Sequence, residues 1–387
     1  MSITLEQADS KGALPAASAP GQAPQETFVL NIGPQHPATH GVLRVKMTMD
    51  GEYIVKAEPV CGYIHRMHEK MGENRTYAQF LPNTSRIDYL SAMNYTHAFV
   101  GAVERALKLP VPPRAEYIRV ITSELNRISS HLVWWGAFLL DLGGFTPLLY
   151  AFDDREKILD LLEGITGARL TYCYYRIGGL YNDVDDTFLK GTREFVAQMR
   201  PRLKMYKALV TENVILRKRL IDIGPISPEL CRKYGATGPV IRGSGVAYDV
   251  RRLEPYSAYP EFDFVIPHFP EGDSMARYLV RMEEMAQSLR IIEQALDKLP
   301  AGLVMAEKVP RVLKLPAGDY CYAVEAARGR FMVRLVSDGK EIPYRVKLRT
   351  PSLSNLSLFE EASRGMLLPD ALALMGSLDL VIPDIDR

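Results

Sequence analysis

From Thr27 to about Val60 apolar and polar residues alternate, as in FVLNIG and GVLRVKMTMDGEYIVKAEP. A period of two marks half-buried strands, and Asp50-Gly51 in the middle of the run favours a hairpin turn. This predicts a small N-terminal antiparallel sheet, residues 27–62. From about Gly62 to Leu299 the apolar spacing changes to three and four. In PRAEYIRVITSELNRISSHLVWWGAFLLDLG, the residues Ile118, Ile121, Leu125, Ile128 and Leu132 form one stripe, a proline opens the stretch and glycines close it. A second long helix is predicted in DSMARYLVRMEEMAQSLRIIEQALDKLP, with Asp273 or Ser274 as cap and Pro300 as stop. Several such helices in succession predict a helical bundle, residues 63–299, interrupted by the loop-rich GPVIRGSGVAYDVRRLEPYSAYPEFDF.

After a linker at 300–319, alternation returns in YCYAVEAARGRFMVRLVSDGKEIPYRVKLRTP and opens a C-terminal β/α region, residues 320–387. Asp338-Gly339 is the expected hairpin turn. Ser357-x-x-Glu360 reads as a capping box opening a short helix that Gly365 ends. Residues 1–26, rich in Ala, Ser, Pro and Gln, read as a disordered tail. The expected class is α+β: a small N-terminal antiparallel sheet, a central helical bundle, and a C-terminal β-hairpin region with short helices.

One window, His131 to Phe152, is long enough to span a bilayer. Asp141, Gly143, Gly144 and Pro147 interrupt it, so a buried core helix ending at the glycines is expected instead. The start lacks the charged-then-apolar pattern of a signal peptide. Lys and Arg exceed Asp and Glu by one, 47 against 46, which gives no electrostatic footprint for nucleic acid. The four cysteines, Cys61, Cys173, Cys231 and Cys321, stand singly. With no CxxC, neither an iron–sulfur cluster nor a structural zinc can be held by local cysteines, and no metal site is expected. A reducing compartment fits this usage.

The chemistry-bearing stretch is GPQHPATHG. His36 and His40 are four apart, but Pro37 pushes His36 out of the helical region, so this is a stiff turn and not a helical zinc motif. On its residues alone it reads as a histidine-bonded loop or as a site. RGSGVAYD lacks the third glycine of a nucleotide loop and reads as a packing turn. GYIHRMHEK, with His65, His68 and Glu69, reads as a charged, solvated helix start. His97 and His131 read as satisfied core histidines.

NIGPQHPATHGVLR, GYIHRMHEK, RTYAQ, SRIDYL, PPRAEYIRV, LDLGGFTP, RGSGVAYDVR and VSDGKEIPYRVKLR, in this order, resemble the 49 kDa-type D subunits of proton-pumping NADH–quinone oxidoreductase, respiratory complex I. The resemblance covers about residues 27–387. It implies the fold of the nickel–iron hydrogenase large subunit, from which that family descends. A nickel–iron site needs four thiolates, but Asp88 and Ser91 stand at the first pair of cysteine places and Val381 and Asp384 at the second. Oxygen ligands and a valine cannot hold such a centre. The resemblance implies a quinone head-group site there instead. It carries over His40 and Tyr89 as quinone ligands and Asp141 as the carboxylate paired with His40, all three catalytic, with His36, Arg66 and Asp88 lining the pocket. Electrons would come from a [4Fe–4S] cluster in the neighbouring B subunit, with the C and I subunits and the membrane-embedded H subunit as further partners. NAD would bind only at a distant subunit. The place implied is peripheral, on the cytoplasmic side of the cell inner membrane. Two departures stand out. The link between Leu299 and Tyr320 is short where NADH-linked members carry an extra helix, which leaves NADH, ferredoxin or a deazaflavin open as donor. HRMHEK replaces the commoner HRGTEK near Arg66. A purely structural scaffold holding the cluster-bearing subunit is the alternative function.

Overall fold

The computed structural model describes residues 27–35 and 41–387, together with the backbone of a two-residue strand, Leu5–Glu6. The rest of the expected tail, and the turn holding His36 and His40, lie outside the described residues. Strands β1 (Leu5–Glu6), β2 (Phe28–Ile32), β3 (Arg44–Asp50) and β4 (Tyr53–Val60) form one antiparallel sheet in chain order. Asp50 pairs with Tyr53 across the Asp50-Gly51 turn, where Gly51 takes a φ of 56°. Val45, Met47 and Met49 point to the buried face, as the alternation predicts. They pack on C-terminal residues including Leu374, Leu378, Ile382 and Ile385.

The helical part begins with α1 (His68–Gly72), α2 (Tyr77–Thr84) and α3 (Ala92–Leu107). It continues with the 29-residue α4 (Pro113–Asp141), α5 (Phe145–Thr166) and α6 (Asp186–Tyr206). Between α5 and α6 lies a small hairpin, β5 (Tyr175–Arg176) and β6 (Gly179–Leu180). Short helices α7 (Val214–Leu220), α8 (Pro228–Tyr234), α9 (Pro239–Arg242) and α10 (Val250–Leu253) fill the loop-rich region before α11 (Ser274–Asp297). α4 runs between the expected proline and glycines. Its end is closed by the Gly143 amide on Leu140 and the Gly144 amide on Leu139, at 2.9 and 2.7 Å. α11 starts at the expected cap, with Asp273 accepting from the Ala276 amide at 2.7 Å. Among the described residues no helix is long and apolar enough to cross a membrane.

The C-terminal sheet has the order β7 (Gly318–Ala326), β8 (Gly329–Ser337), β9 (Arg345–Arg349). Its tight turn is Ala327–Arg328. Asp338-Gly339 lies, as expected, between two paired antiparallel strands, β8 and β9, but as the start of a seven-residue loop, 338 to 344, and not a two-residue turn. Pro343 cannot donate to a ladder in that loop. The tight turn is possible because Gly329 adopts a φ of 128° while its backbone lies against Gly238, where a Cβ would come within 2.6 Å of the Gly238 nitrogen. Four helices end the chain: α12 (Pro351–Leu356), α13 (Phe359–Ala362), α14 (Leu368–Ser377) and α15 (Ile382–Asp386). The capping box expected at Ser357 does not form. Ser357 closes α12 instead, its hydroxyl donating to the Leu353 carbonyl at 2.9 Å, because the last carbonyls of that helix lack partners. The reciprocal box is at α2, between Thr76 and Gln79, at 3.3 and 3.1 Å.

Candidate functional site

The loop from Ser85 to Ser91 enters α3. Asp88 shapes it: its Oδ1 accepts the amides of Leu90 and Ser91 at 3.1 and 3.2 Å. Asn126 of α4 clamps it from the other side, donating to the Leu90 carbonyl at 3.1 Å and accepting the Met93 amide at 3.2 Å. Tyr89 is thereby held half-buried on a fixed backbone. Burial pushes its hydroxyl pKa up, Arg328 pulls it down, and Asp88 and Asp379 push it up again, so at neutral pH it remains a hydrogen-bond donor.

Below Tyr89 is a knot of fully buried charge. Arg328, at the β7–β8 turn, donates through Nη1 to Asp88 Oδ2 at 2.9 Å and Ser130 Oγ at 3.1 Å, and through Nη2 to Asp379 Oδ1 at 3.2 Å. Ser91 Oγ lies 3.4 Å from Nη1. Asp384 joins from α15, with Oδ1 taking the Tyr95 hydroxyl at 2.5 Å and Oδ2 the Ser352 amide at 3.0 Å. The Val381 amide donates to Ser352 Oγ at 3.4 Å. The segments holding Asp88, Ser91, Val381 and Asp384 therefore meet at one place, although they come from opposite ends of the sequence. Burial raises the Asp88 pKa, against the pull of Arg328. Burial, with the charge of Asp88, carries Asp384 to about 7. Among the described residues no three His, Cys, Asp or Glu side chains gather in a metal-holding arrangement.

The other expected residues lie apart from this knot. Asp141 is the exposed last residue of α4. It stands eleven residues beyond Ser130, roughly 16 Å along the helix axis. Arg66 is exposed and donates to the carbonyl of Arg86. His65 Nδ1 meets the Asp386 carbonyl at 2.7 Å, and the Asp386 carboxylate accepts the Gly62 and Ile64 amides at 2.8 and 2.9 Å. His68 departs from the solvated helix start expected of it. It is buried, and burial together with Arg66, His65 and Arg86 lowers its pKa to about 4.

His131 is buried as expected, with Nε2 on Glu284 at 2.9 Å. His97 is buried but not satisfied. It packs edge-on against Tyr175 and Tyr256, and its Nδ1 has no hydrogen-bond partner. His131 and Glu284 belong to a second, larger set of buried charges. Glu284 meets Arg242, which meets Glu325 at 2.8 Å; Asp249 meets Arg251 at 2.7 Å. Glu124 takes Arg127 and Arg251, both at 3.1 Å, as well as Tyr259 at 2.7 Å and Ser288 at 2.6 Å. The sequence reading missed Arg328, Asp379 and Tyr95. No local signal marks Arg328, since an arginine in an alternating stretch reads as a solvent-facing residue.

A family model described as the 49 kDa subunit of respiratory-chain NADH dehydrogenase matches residues 141–314 and 309–387. The chain is 79% identical over 372 residues to the NADH-quinone oxidoreductase D 2 subunit of Opitutus terrae, covering 96% of this chain and 93% of that one. It is 72% identical to the NADH-quinone oxidoreductase D subunit of Desulfotalea psychrophila over 364 residues, 94% and 98% of the two chains. Against the D subunit of the same enzyme from Geobacillus thermodenitrificans the identity is 46% over 361 residues, 93% and 99% of the two.

Proposed function

The chain belongs to the family of the 49 kDa subunit of respiratory-chain NADH dehydrogenase, and on that premise we propose that it forms the quinone head-group site of an NADH:quinone oxidoreductase complex. Tyr89 and His40 hydrogen-bond the two ends of the head group, and Asp141 poises His40. His36, Arg66 and Asp88 complete the pocket. Electrons arrive from a [4Fe–4S] cluster of the neighbouring B subunit. The C and I subunits and the membrane-embedded H subunit are the other contacts, on the cytoplasmic side of the membrane, with NAD bound at a distant subunit.

The observation that carries this reading is the setting of Tyr89, a half-buried phenol on a clamped loop directly above buried charge. Reducing a quinone puts negative charge on its oxygens and takes up two protons with two electrons. Donors aimed at those oxygens from a site partly shut off from water stabilise that charge most. Histidine gives up and regains a proton near neutral pH, and a neighbouring carboxylate favours its charged form. Tyrosine adds a donor on a stiff apolar ring suited to a quinone.

The test is Tyr89→Phe in the assembled complex. The ring stays and one donor goes, at a cost of roughly 1–3 kcal/mol. Quinone reductase activity falls, chiefly through a raised apparent KM, while the iron–sulfur clusters still reduce normally. Unchanged kinetics with several quinones would remove Tyr89 from the site and favour a scaffold that only holds the cluster-bearing subunit.

A further inference from the structure

Helix α3 is not capped by its own first residues. The amides in the first turn of a helix have no partner within it, and Ser91, in the capping position, makes no side-chain cap. The partner comes from another helix. Asn126 of α4, 33 residues from Met93 and almost fully buried, accepts the Met93 amide through Oδ1 at 3.2 Å. Through Nδ2 the same side chain donates to the Leu90 carbonyl at 3.1 Å. The orientation of the amide is forced, because a backbone N–H can only donate and a carbonyl oxygen can only accept.

One turn further along α4, Ser130 accepts from Arg328, whose Nη1 also holds Asp88 Oδ2 at 2.9 Å. Asp88 Oδ1 in turn takes the Leu90 and Ser91 amides. α4 therefore grips the residues on both sides of Tyr89, directly through Asn126 and indirectly through Ser130. Among the described residues the Tyr89 hydroxyl has no hydrogen-bond partner. The direction of that hydroxyl is thus set by the backbone that carries it.

We propose that Asn126 is a positioning residue for quinone reduction, which aims the Tyr89 hydroxyl by fixing the Leu90 carbonyl. This rests on the quinone-site reading above. Capping α3 and aiming Tyr89 are separable duties, because each uses a different atom of one amide. The Met93 bond needs only an oxygen. The Leu90 bond needs a donor, and only the nitrogen supplies it. Asn126→Asp divides the two: it keeps an acceptor for the Met93 amide, where a helix N-terminus favours a carboxylate, and it loses the donor to Leu90.

The experiment measures quinone reductase kinetics in the assembled complex for Asn126→Asp, Tyr89→Phe and the double variant. Asn126→Asp should raise the apparent KM for quinone about three- to tenfold, the worth of one hydrogen bond, with kcat within about twofold. The iron–sulfur clusters should still reduce normally. In the Tyr89→Phe background the same change should move KM by less than about twofold, because the hydroxyl it aims is already gone. A residue that merely supports α3 would leave KM alone in Asn126→Asp, and that result would overturn the proposal. So would KM increases that multiply in the double variant, since Asn126 would then act on something other than the Tyr89 hydroxyl. If Tyr89→Phe by itself changes nothing, it is the quinone-site reading that fails, and this inference with it. Should the buried charge of Asn126→Asp prevent assembly, Asn126→Leu, neutral and of similar size, enters the same cycle with the same expected outcome. Failure of both variants to assemble would make Asn126 a structural residue and refute the positioning role.

Discussion

Glu124 and Asp384 are both fully buried carboxylates, and the fold treats them in opposite ways. Glu124 sits between Arg127 and Arg251, with hydroxyls from Tyr259 and Ser288 on its remaining lone pairs. Burial alone would raise its pKa, but the two guanidiniums and the hydroxyls hold it down at about 2. Asp384 takes the Tyr95 hydroxyl and the hydroxyl and amide of Ser352, and among the described residues no cation bonds it. The same desolvation therefore leaves one group locked as an anion and the other poised near neutrality. Burial sets the penalty, and the supply of cations decides which protonation state escapes it. The locked group ties α4 to the loop region before α11. The poised one takes the hydroxyl of Tyr95 on α3.

Removing the carboxylate charge should separate the two sharply. Glu124→Gln leaves Arg127 without its anion and Arg251 with Asp249 alone, and breaking a buried pair costs roughly 3–5 kcal/mol. Amide hydrogen exchange along α4 in the assembled complex should quicken accordingly. Asp384→Asn well below pH 7 replaces one neutral group with another of equal size and should cost less than about 1 kcal/mol. Equal costs would dissolve the contrast.

The next effect is pH dependence. The folded pKa of Glu124 is depressed, so its stabilising contribution is present above the ordinary carboxylate range and is lost only as pH falls through about 2. That of Asp384 is raised, so its contribution is complete below the ordinary value of 3.8 and is lost as pH rises through about 7. Between about pH 5 and about pH 8 the wild type should lose Tm relative to Asp384→Asn, and its gap to Glu124→Gln should stay constant. A third test asks whether the proposed pair of His40 and Asp141 works as a unit. If Asp141 acts through His40, the losses of quinone reductase activity in His40→Ala and Asp141→Asn should fall short of additive in the double variant by about 0.5–3 kcal/mol. Additive losses would mean two independent groups. Smallest is the baseline: Thr76→Ala, which removes an exposed and uncharged cap, should cost about 1 kcal/mol with no pH dependence over the same range.

Where order is local, the sequence was readable. Pro113 and the glycines at 143 and 144 bound α4, Asp273 caps α11, and Asp50-Gly51 turns the first hairpin, because each signal acts within a few residues. Asp338-Gly339 does lie in the link of the β8–β9 hairpin, but the tight β7–β8 turn went unread, because what marks it is Gly329 pressed against the distant Gly238. Of the candidate site, Asp88 and Tyr89 were named through the resemblance, and Asp384 only as standing at a cysteine place of the hydrogenase pattern. Arg328 could not be, since its partners Asp88 and Asp379 are 240 and 51 residues away. His68 shows the same limit. A histidine between Arg66 and Glu69 looks solvated until the fold closes over it.

That closure depends on residues 379–386. Asp379, Asp384 and Asp386 hold Arg328, Tyr95 and the amides of Gly62 and Ile64, at sequence separations up to 324 residues. A ribosome making this protein completes the sheet, the long helices and the loop with Tyr89 well before any of those three aspartates exists. Until then Asp386 cannot tie down Gly62 and Tyr95 has no carboxylate, so the nascent chain carries an open seam through its middle. Contacts this distant form late. A partner protein that recognises the sealed seam would thereby select chains in which residues 379–386 are already in place.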